Sequence, residues 1–169
     1  GINRHSKVVA YDQDNGAYAA RLWWLLRACG FRSARVLDGG IAAWARDGHA
    51  LETGPTPAAS STHLPERLEL PKYQWLDADS VASGLQSQSI TLIDARARPR
   101  FRGDVEPLDI VAGHIPGALN RPFLDNLGAN GLFKPPQQLR QEFEALLGGR
   151  SPSTVVHMCG SGVTACHNR

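Results

Sequence analysis

Short apolar runs alternate along the chain with amphipathic stretches, and the alternation predicts the order of the elements. Lys7 to Tyr11 (K-V-V-A-Y) is apolar and rich in β-formers, the pattern of a buried strand. Asp12 to Gly16 is turn-like. Ala17 to Cys29 joins strong helix formers to an apolar face, and Gly30 stands where a helix stop is expected. Arg35 to Leu37 reads as a short strand, Asp38-Gly39-Gly40 as a turn, and Ile41 to Arg46 as a short helix ended near Gly48. Strand, helix, strand, helix predicts a βαβ unit with a parallel sheet.

The pattern lapses from Glu52 to Pro71, where Pro55, Pro57, Pro65 and Pro71 lie among Thr53, Ser60, Ser61 and Thr62. That is linker composition. It divides the chain into residues 1–51, a linker 52–71, and residues 72–169. In the last part Asp77 is the expected N-cap of a helix to about Gly84, and Ile90 to Asp94 is a buried strand. Ala95 to Gly113 reads as irregular, with Arg96, Arg98, Arg100 and Arg102 interleaved with Asp104, Glu106 and Asp109. Gly113 to Ala118 is a turn motif. Pro136 to Leu147 is an amphipathic helix with proline in its first turn, stopped by Gly148-Gly149. Thr154 to Met158 is a short buried strand that runs straight into Cys159. A helix is expected to start at Thr164. The fold class is α/β.

Composition narrows the function classes. Hydrophobic residues at 42% and charged residues at 20% describe a globular chain rather than a disordered one. No apolar run approaches the roughly 20 residues that span a bilayer, so no membrane partner is expected. With 18 basic and 16 acidic residues and no lysine-rich stripe, nucleic acid is not an expected partner either. Three cysteines, Cys29, Cys159 and Cys166, argue against a disulfide framework and for a reducing, cytoplasmic compartment.

The candidate chemistry lies at the strand end. A strand, a thiol, a loop with two glycines and a helix start gather backbone N–H groups around Cys159. A thiol so placed ionises more easily than a free one. The loop Gly160, Ser161, Gly162, Val163, Thr164 and Ala165 is the candidate cradle for a thiolate or the anion it carries, with Ser161 and Thr164 as possible hydroxyl donors. Gly160 and Gly162 are expected to let the backbone curl. The bland alternative is a buried structural cysteine, which the glycine spacing disfavours. An internal match supports the chemical reading. Ser6, Val8 and Val9 coincide with Ser153, Val155 and Val156 at a constant offset of 147, and Asp12 stands where Cys159 does. Two copies of one fold are expected, only the second equipped for thiol chemistry.

These residues carry a family resemblance. V-V-A-Y-D at Val8 to Asp12, A-A-R-L-W-W-L-L-R at Ala19 to Arg27, V-L-D-G-G at Val36 to Gly40, L-I-D-A-R at Leu92 to Arg96, Arg100-Phe101, G-H-I-P-G-A-L-N at Gly113 to Asn120 and C-G-S-G-V-T-A at Cys159 to Ala165 together resemble the two-domain rhodanese-like sulfurtransferases, which act on thiosulfate or 3-mercaptopyruvate. The resemblance implies tandem rhodanese-like domains, each a mainly parallel sheet flanked by helices. It implies that both are incomplete here: the second half of an inactive first domain, then a catalytic second domain cut after its active-site loop. It further implies that Cys159 takes a sulfur from the donor as a persulfide and passes it to cyanide or a thiol, with no cofactor. In the mercaptopyruvate type, assisting acidic and histidine residues come from a segment before Gly1. The loop C-G-S-G-V-T-A resembles the mercaptopyruvate type, whereas Leu108 stands where that type tends to carry a second substrate-binding arginine. Among the four arginines of the charged stretch, each by itself a plausible solvated charge, the resemblance selects Arg100 to bind substrate. Arg102 is left to the surface.

Other readings are weaker. A cysteine phosphatase needs an arginine at the end of the thiol loop, and none follows Cys159 before Arg169. A non-catalytic sulfur-carrier or regulatory binding module is the alternative from another class, and the intact cysteine argues against it. His157, Cys159, Cys166 and His167 lack the spacing of a zinc site, so no metal is expected. Cys29 and Cys166 are expected to pack against helices, Trp23 and Trp24 to serve a core or domain interface, and His114 to be structural. Asp94 is expected to bond loop amides at its strand end.

Overall fold

The first strand and helix arise where the apolar pattern places them. The computed structural model describes residues 2, 5–55, 70–71 and 75–169, and residues 56–69 of the expected linker lie outside these. The chain divides into two compact units, Gly1–Gln74 and Trp75–Arg169. In the first, β1 (Val8–Ala10) and β2 (Ala34–Val36) pair in parallel, with Val8 opposite Ala34. Helix α1 (Ala17–Ala28) connects them and α2 (Gly40–Arg46) follows. Leu26, Phe31 and Ala34 form a buried cluster against which Val8, Trp23 and Cys29 pack. Trp24 instead receives the Arg21 guanidinium on its ring face, at 5.0 Å. The run Lys7 to Tyr11 is not the buried strand expected, because Val9 and Tyr11 stay more than half exposed. Successive side chains of a strand point to opposite faces, and here only the Val8 and Ala10 face is covered.

The second unit contains a three-stranded sheet in the order β4 (Leu119–Asn120), β3 (Thr91–Asp94), β5 (Val155–Met158), all parallel. The central strand is buried at all four residues, which is why T-L-I-D reads as a continuous run rather than an alternation. Helix α3 (Ala78–Gln86) starts at Asp77, whose carboxylate accepts a hydrogen bond from the Ser80 N–H at 2.9 Å. Within the stretch expected to be irregular lies α4 (Arg98–Arg102), with proline in its first turn. Five residues are too few for a helical period to be visible in sequence. Helix α5 (Pro136–Leu147) has the expected bounds. It ends at Gly148, where φ is +57°, a conformation that costs glycine nothing. Strand β5 is only partly buried, not buried as expected, since it pairs with β3 along one edge. The helix expected from Thr164 is a short 3-10 segment, Thr164–Asn168. The expected α/β architecture with parallel strands and flanking helices holds in both units. Among the described residues no helix is long and apolar enough to cross a membrane.

Candidate active site

β5 delivers Cys159 to the end of the sheet, half-buried, at the point where the chain leaves the strand. The chain then turns back over the sulfur. Gly162 has φ +74°, so its N–H points inward and donates to Cys159 Sγ at 3.0 Å. The Ser161 and Ala165 N–H groups and the Thr164 hydroxyl reach the same sulfur. Burial pushes the thiol up, but these four donors outweigh it, and Cys159 titrates below the ordinary thiol value. Four of the six predicted loop residues thus present a donor to the sulfur. Gly160 and Val163 do not, and Ser161 contributes its backbone rather than its hydroxyl. Of the two glycines only Gly162 adopts a left-handed φ.

The loop is held from behind. Asn126 donates to the His167 carbonyl at 3.2 Å and to Asn168 Oδ1 at 2.7 Å, and Asn168 donates to the Arg121 carbonyl at 2.9 Å. His167 stacks on Phe133, with ring centroids 4.6 Å apart. Asn126 is 2% exposed, and nothing in its sequence context signalled this role. The side chain of Cys166 donates to the Gly162 carbonyl at 3.2 Å, bracing the residue that faces Cys159.

Arg100, on α4, lies next to the loop. A Cβ added at Gly160 would stand 3.8 Å from both Arg100 Nη1 and Nη2, and 3.9 Å from Asp109 Oδ2. The guanidinium is already engaged, with Nε donating to Glu106 Oε2 at 3.2 Å and Nη2 to Glu106 Oε1 at 2.6 Å and to Asp109 Oδ2 at 3.0 Å. Glu106 also accepts from the N–H groups of Leu108 and Asp109. The Arg100 hydrogen bonds hold it down at about 2, against the opposing effect of burial. Behind it Arg96 grips the fully buried Asp94 through Nη2 at 2.7 Å and reaches Glu106 at 3.4 Å. Asp94 also accepts the Arg96 N–H at 2.9 Å, the loop amide expected of it. The sequence displays these alternating charges without saying which pair.

A Rhodanese-like domain model matches residues 1–47 and 77–169. The chain belongs to the rhodanese-like family. It is 51% identical over 99% of its length to the Pseudomonas aeruginosa protein named "Probable 3-mercaptopyruvate sulfurtransferase", and covers 58% of that protein. It is 39% identical to the human 3-mercaptopyruvate sulfurtransferase over 99% of its own length and 56% of the human chain. Relatives named thiosulfate sulfurtransferase match over the same span. The crystal structure of SseA from Escherichia coli superposes with a TM-score of 0.78 at 32% identity, over 99% of this chain and 62% of that one. The chain therefore spans rather more than half the length of the curated relatives it matches.

The other predicted residues of this rhodanese-like chain fall outside the loop. His114 stacks on Phe101, with centroids 3.7 Å apart, and its Nδ1 lies 2.7 Å from the Phe101 carbonyl, a structural placement. Arg102 pairs with Asp104 at the surface. His157 is largely buried, which lowers it to about 4 and leaves it neutral near pH 7. Among the described residues no three His, Cys, Asp or Glu side chains converge as metal ligands.

The first unit has a comparable loop with a different occupant. The Asp12 carboxylate accepts the N–H groups of Asp14 at 3.3 Å, Gly16 at 2.9 Å, and Tyr18 and Ala19 at 3.1 Å. At the offset of 147, Asp14 and Tyr18 correspond to Ser161 and Ala165, whose N–H groups face Cys159.

Proposed function

We propose that the natural protein is a sulfurtransferase that carries sulfur as a persulfide on Cys159. The observation that supports this best is the cradle of three N–H groups and one hydroxyl at Sγ, which lowers the thiol despite its burial. Such a site favours a sulfur anion, first thiolate and then persulfide.

The thiolate attacks the sulfur of the donor, forming an S–S bond. With thiosulfate, the bond between the two sulfurs breaks and its electron pair leaves with sulfite. With 3-mercaptopyruvate, the C–S bond breaks, the pair passes to the carbon as the enolate of pyruvate, and a proton completes pyruvate. An acceptor then attacks the outer sulfur, and the pair of the persulfide bond returns to Cys159. Cyanide leaves as thiocyanate, and a thiol leaves as its own persulfide. Two half-reactions through a covalent intermediate give ping-pong kinetics.

Arg100 is the proposed anchor for the donor's anionic end, its fork matching carboxylate or sulfonate oxygens beside Gly160. The proposed donor is 3-mercaptopyruvate, supported by the loop sequence C-G-S-G-V-T-A and by the names of the relatives above. Residues 1–51 are proposed to be a non-catalytic copy of the same fold, and 72–169 the catalytic one. The Asp12 loop supports this, since its cradle is filled by the chain's own carboxylate. Three free cysteines, one a working thiolate, fit a reducing cytoplasmic setting.

The test is mass spectrometry of the natural-length protein after incubation with each donor. A gain of about 32 Da on the Cys159 peptide, reversed by cyanide and absent in Cys159→Ser, is expected. No adduct with either donor sinks the reading and leaves a non-catalytic module in its place.

A further inference from the structure

Arg100 has five N–H donors, and their assignments differ in kind. The side-on pair, Nε and Nη2, is taken by Glu106. Glu106 is 4% exposed, bonded to two arginines and two backbone N–H groups, and is a fixed part of the site. The end-on fork, Nη1 and the second N–H of Nη2, is the part that can grip an incoming anion bidentately. Among the described residues Nη1 has no hydrogen-bond partner, and the Nη2 arm is held by Asp109 at 3.0 Å. Asp109 is half exposed, its Oδ2 lies beside Gly160, and it also stands 3.9 Å from Arg96 Nη1.

We propose that Asp109 is a specificity-determining residue: its carboxylate occupies one arm of the Arg100 fork and must be displaced by the donor, which disfavours dianionic donors relative to monoanionic ones. This rests on the reading of Arg100 as the donor anchor. Two guanidiniums, Arg96 and Arg100, face three carboxylates, Asp94, Glu106 and Asp109, for a net charge of −1. A donor therefore enters a cluster already over-supplied with negative charge. Thiosulfate brings two negative charges, and the carboxylate of 3-mercaptopyruvate brings one. At a separation of about 5 Å in a water-like medium, each unit of donor charge is disfavoured roughly fourfold by one carboxylate. The handicap is then roughly fourfold for the monoanion and about fifteenfold for the dianion.

Asp109→Asn keeps the size of the side chain and removes its charge. In the natural-length protein, kcat/KM for thiosulfate is expected to rise by about fifteenfold and for 3-mercaptopyruvate by about fourfold, mainly through KM. The ratio between donors thus moves roughly fourfold toward thiosulfate. Asp109→Glu, which restores the charge, is expected to keep the wild-type ratio, and Asp109→Ser to behave like Asp109→Asn. An unchanged ratio in both neutral variants overturns the proposal, as does a fall with both donors, which would make Asp109 a support for Arg100 instead of its competitor. Wild-type protein that takes sulfur from neither donor overturns the sulfurtransferase reading itself, and this inference with it.

Discussion

Replacing Thr164 by valine keeps the shape of the side chain and removes one of the four donors at Cys159 Sγ. Of the contributions that lower this thiol, the Thr164 hydroxyl is the largest, while burial works against all of them. A hydrogen bond to a charged acceptor contributes about 1.5–3 kcal/mol. Cys159 is only half-buried, so water replaces part of the loss and the lower figure applies. About 1.5 kcal/mol corresponds to roughly tenfold less thiolate at any pH below the titration of the thiol. The remaining thiolate is more basic, and with a Brønsted coefficient of about 0.4–0.5 it is roughly threefold more nucleophilic. The rate of exchange with a small disulfide is then expected to fall about three- to fourfold on the acid side and to rise about threefold on the alkaline side. The two pH–rate profiles cross.

The exchange is followed by mass spectrometry at the Cys159 peptide, so that Cys29 and Cys166 do not contribute. Ser161→Ala serves as the control, because Ser161 offers Sγ its N–H and not its hydroxyl. Its profile is expected to overlay the wild type. Parallel profiles for Thr164→Val, lower at every pH, would mean that access to the sulfur had changed and not its ionisation. A shift in Ser161→Ala equal to that in Thr164→Val would mean that the hydroxyl assignments are wrong. Either result refutes the account of how the loop activates the thiol.

Two further predictions concern stability. A Cβ added at Gly40 would stand 2.5 Å from the Asp12 carbonyl oxygen at φ +58°, so Gly40→Ala is expected to destabilise the protein by about 2 kcal/mol or more, measured by urea denaturation. Glu106 is held at about 2 by Arg100, and Glu142 at about 2 by Arg121, both below the 4.5 of an ordinary glutamate. The unfolded chain takes up these protons near pH 4.5 and the folded one only near pH 2, so their stabilisation is complete above pH 4.5 and lost as pH falls toward 2. Urea midpoints measured between those limits are expected to fall less steeply in Glu106→Gln and Glu142→Gln, and an unchanged slope would contradict the ion-pair assignment.

What the sequence makes legible depends on how local the determinant is. Helix α5 is read to the residue because proline in its first turn and the Gly148-Gly149 stop are both local signals. Strand β3 is read to within one residue, because burial on both faces lets Leu92 and Ile93 stand side by side instead of alternating with exposed polar residues. Two-residue β4 has no such signature, since its identity lies in pairing with β3 across the intervening residues 95–118. The same division holds around Cys159. Its loop is visible as glycine spacing, yet which N–H groups aim at sulfur follows from the φ of Gly162 and from the distant Asn126 that pins the far end. The Arg100 pairings are likewise invisible. Four arginines and three acids admit many matchings, and only the fold brings Glu106 and Asp109 to the same guanidinium.

The two loops at the strand ends differ in what their donors must satisfy. A carboxylate has two small oxygens with about four lone-pair sites, and Asp12 meets four N–H groups, two on each oxygen. A sulfur is one larger, softer centre, and at Cys159 the donors converge on a single atom with a hydroxyl among them. At the offset of 147, Ala17 stands where Thr164 does, so the first loop lacks that hydroxyl. A carboxylate presents two oxygens to backbone N–H groups and needs no hydroxyl to complete its set of donors. A thiol starts from about 8.5 and must be drawn down against burial. The change of occupant and the added hydroxyl are therefore two parts of one requirement. On the proposed reading of tandem copies, thiol chemistry belongs to the unit that meets both, and the other keeps its amide frame as an internal brace for its own helix.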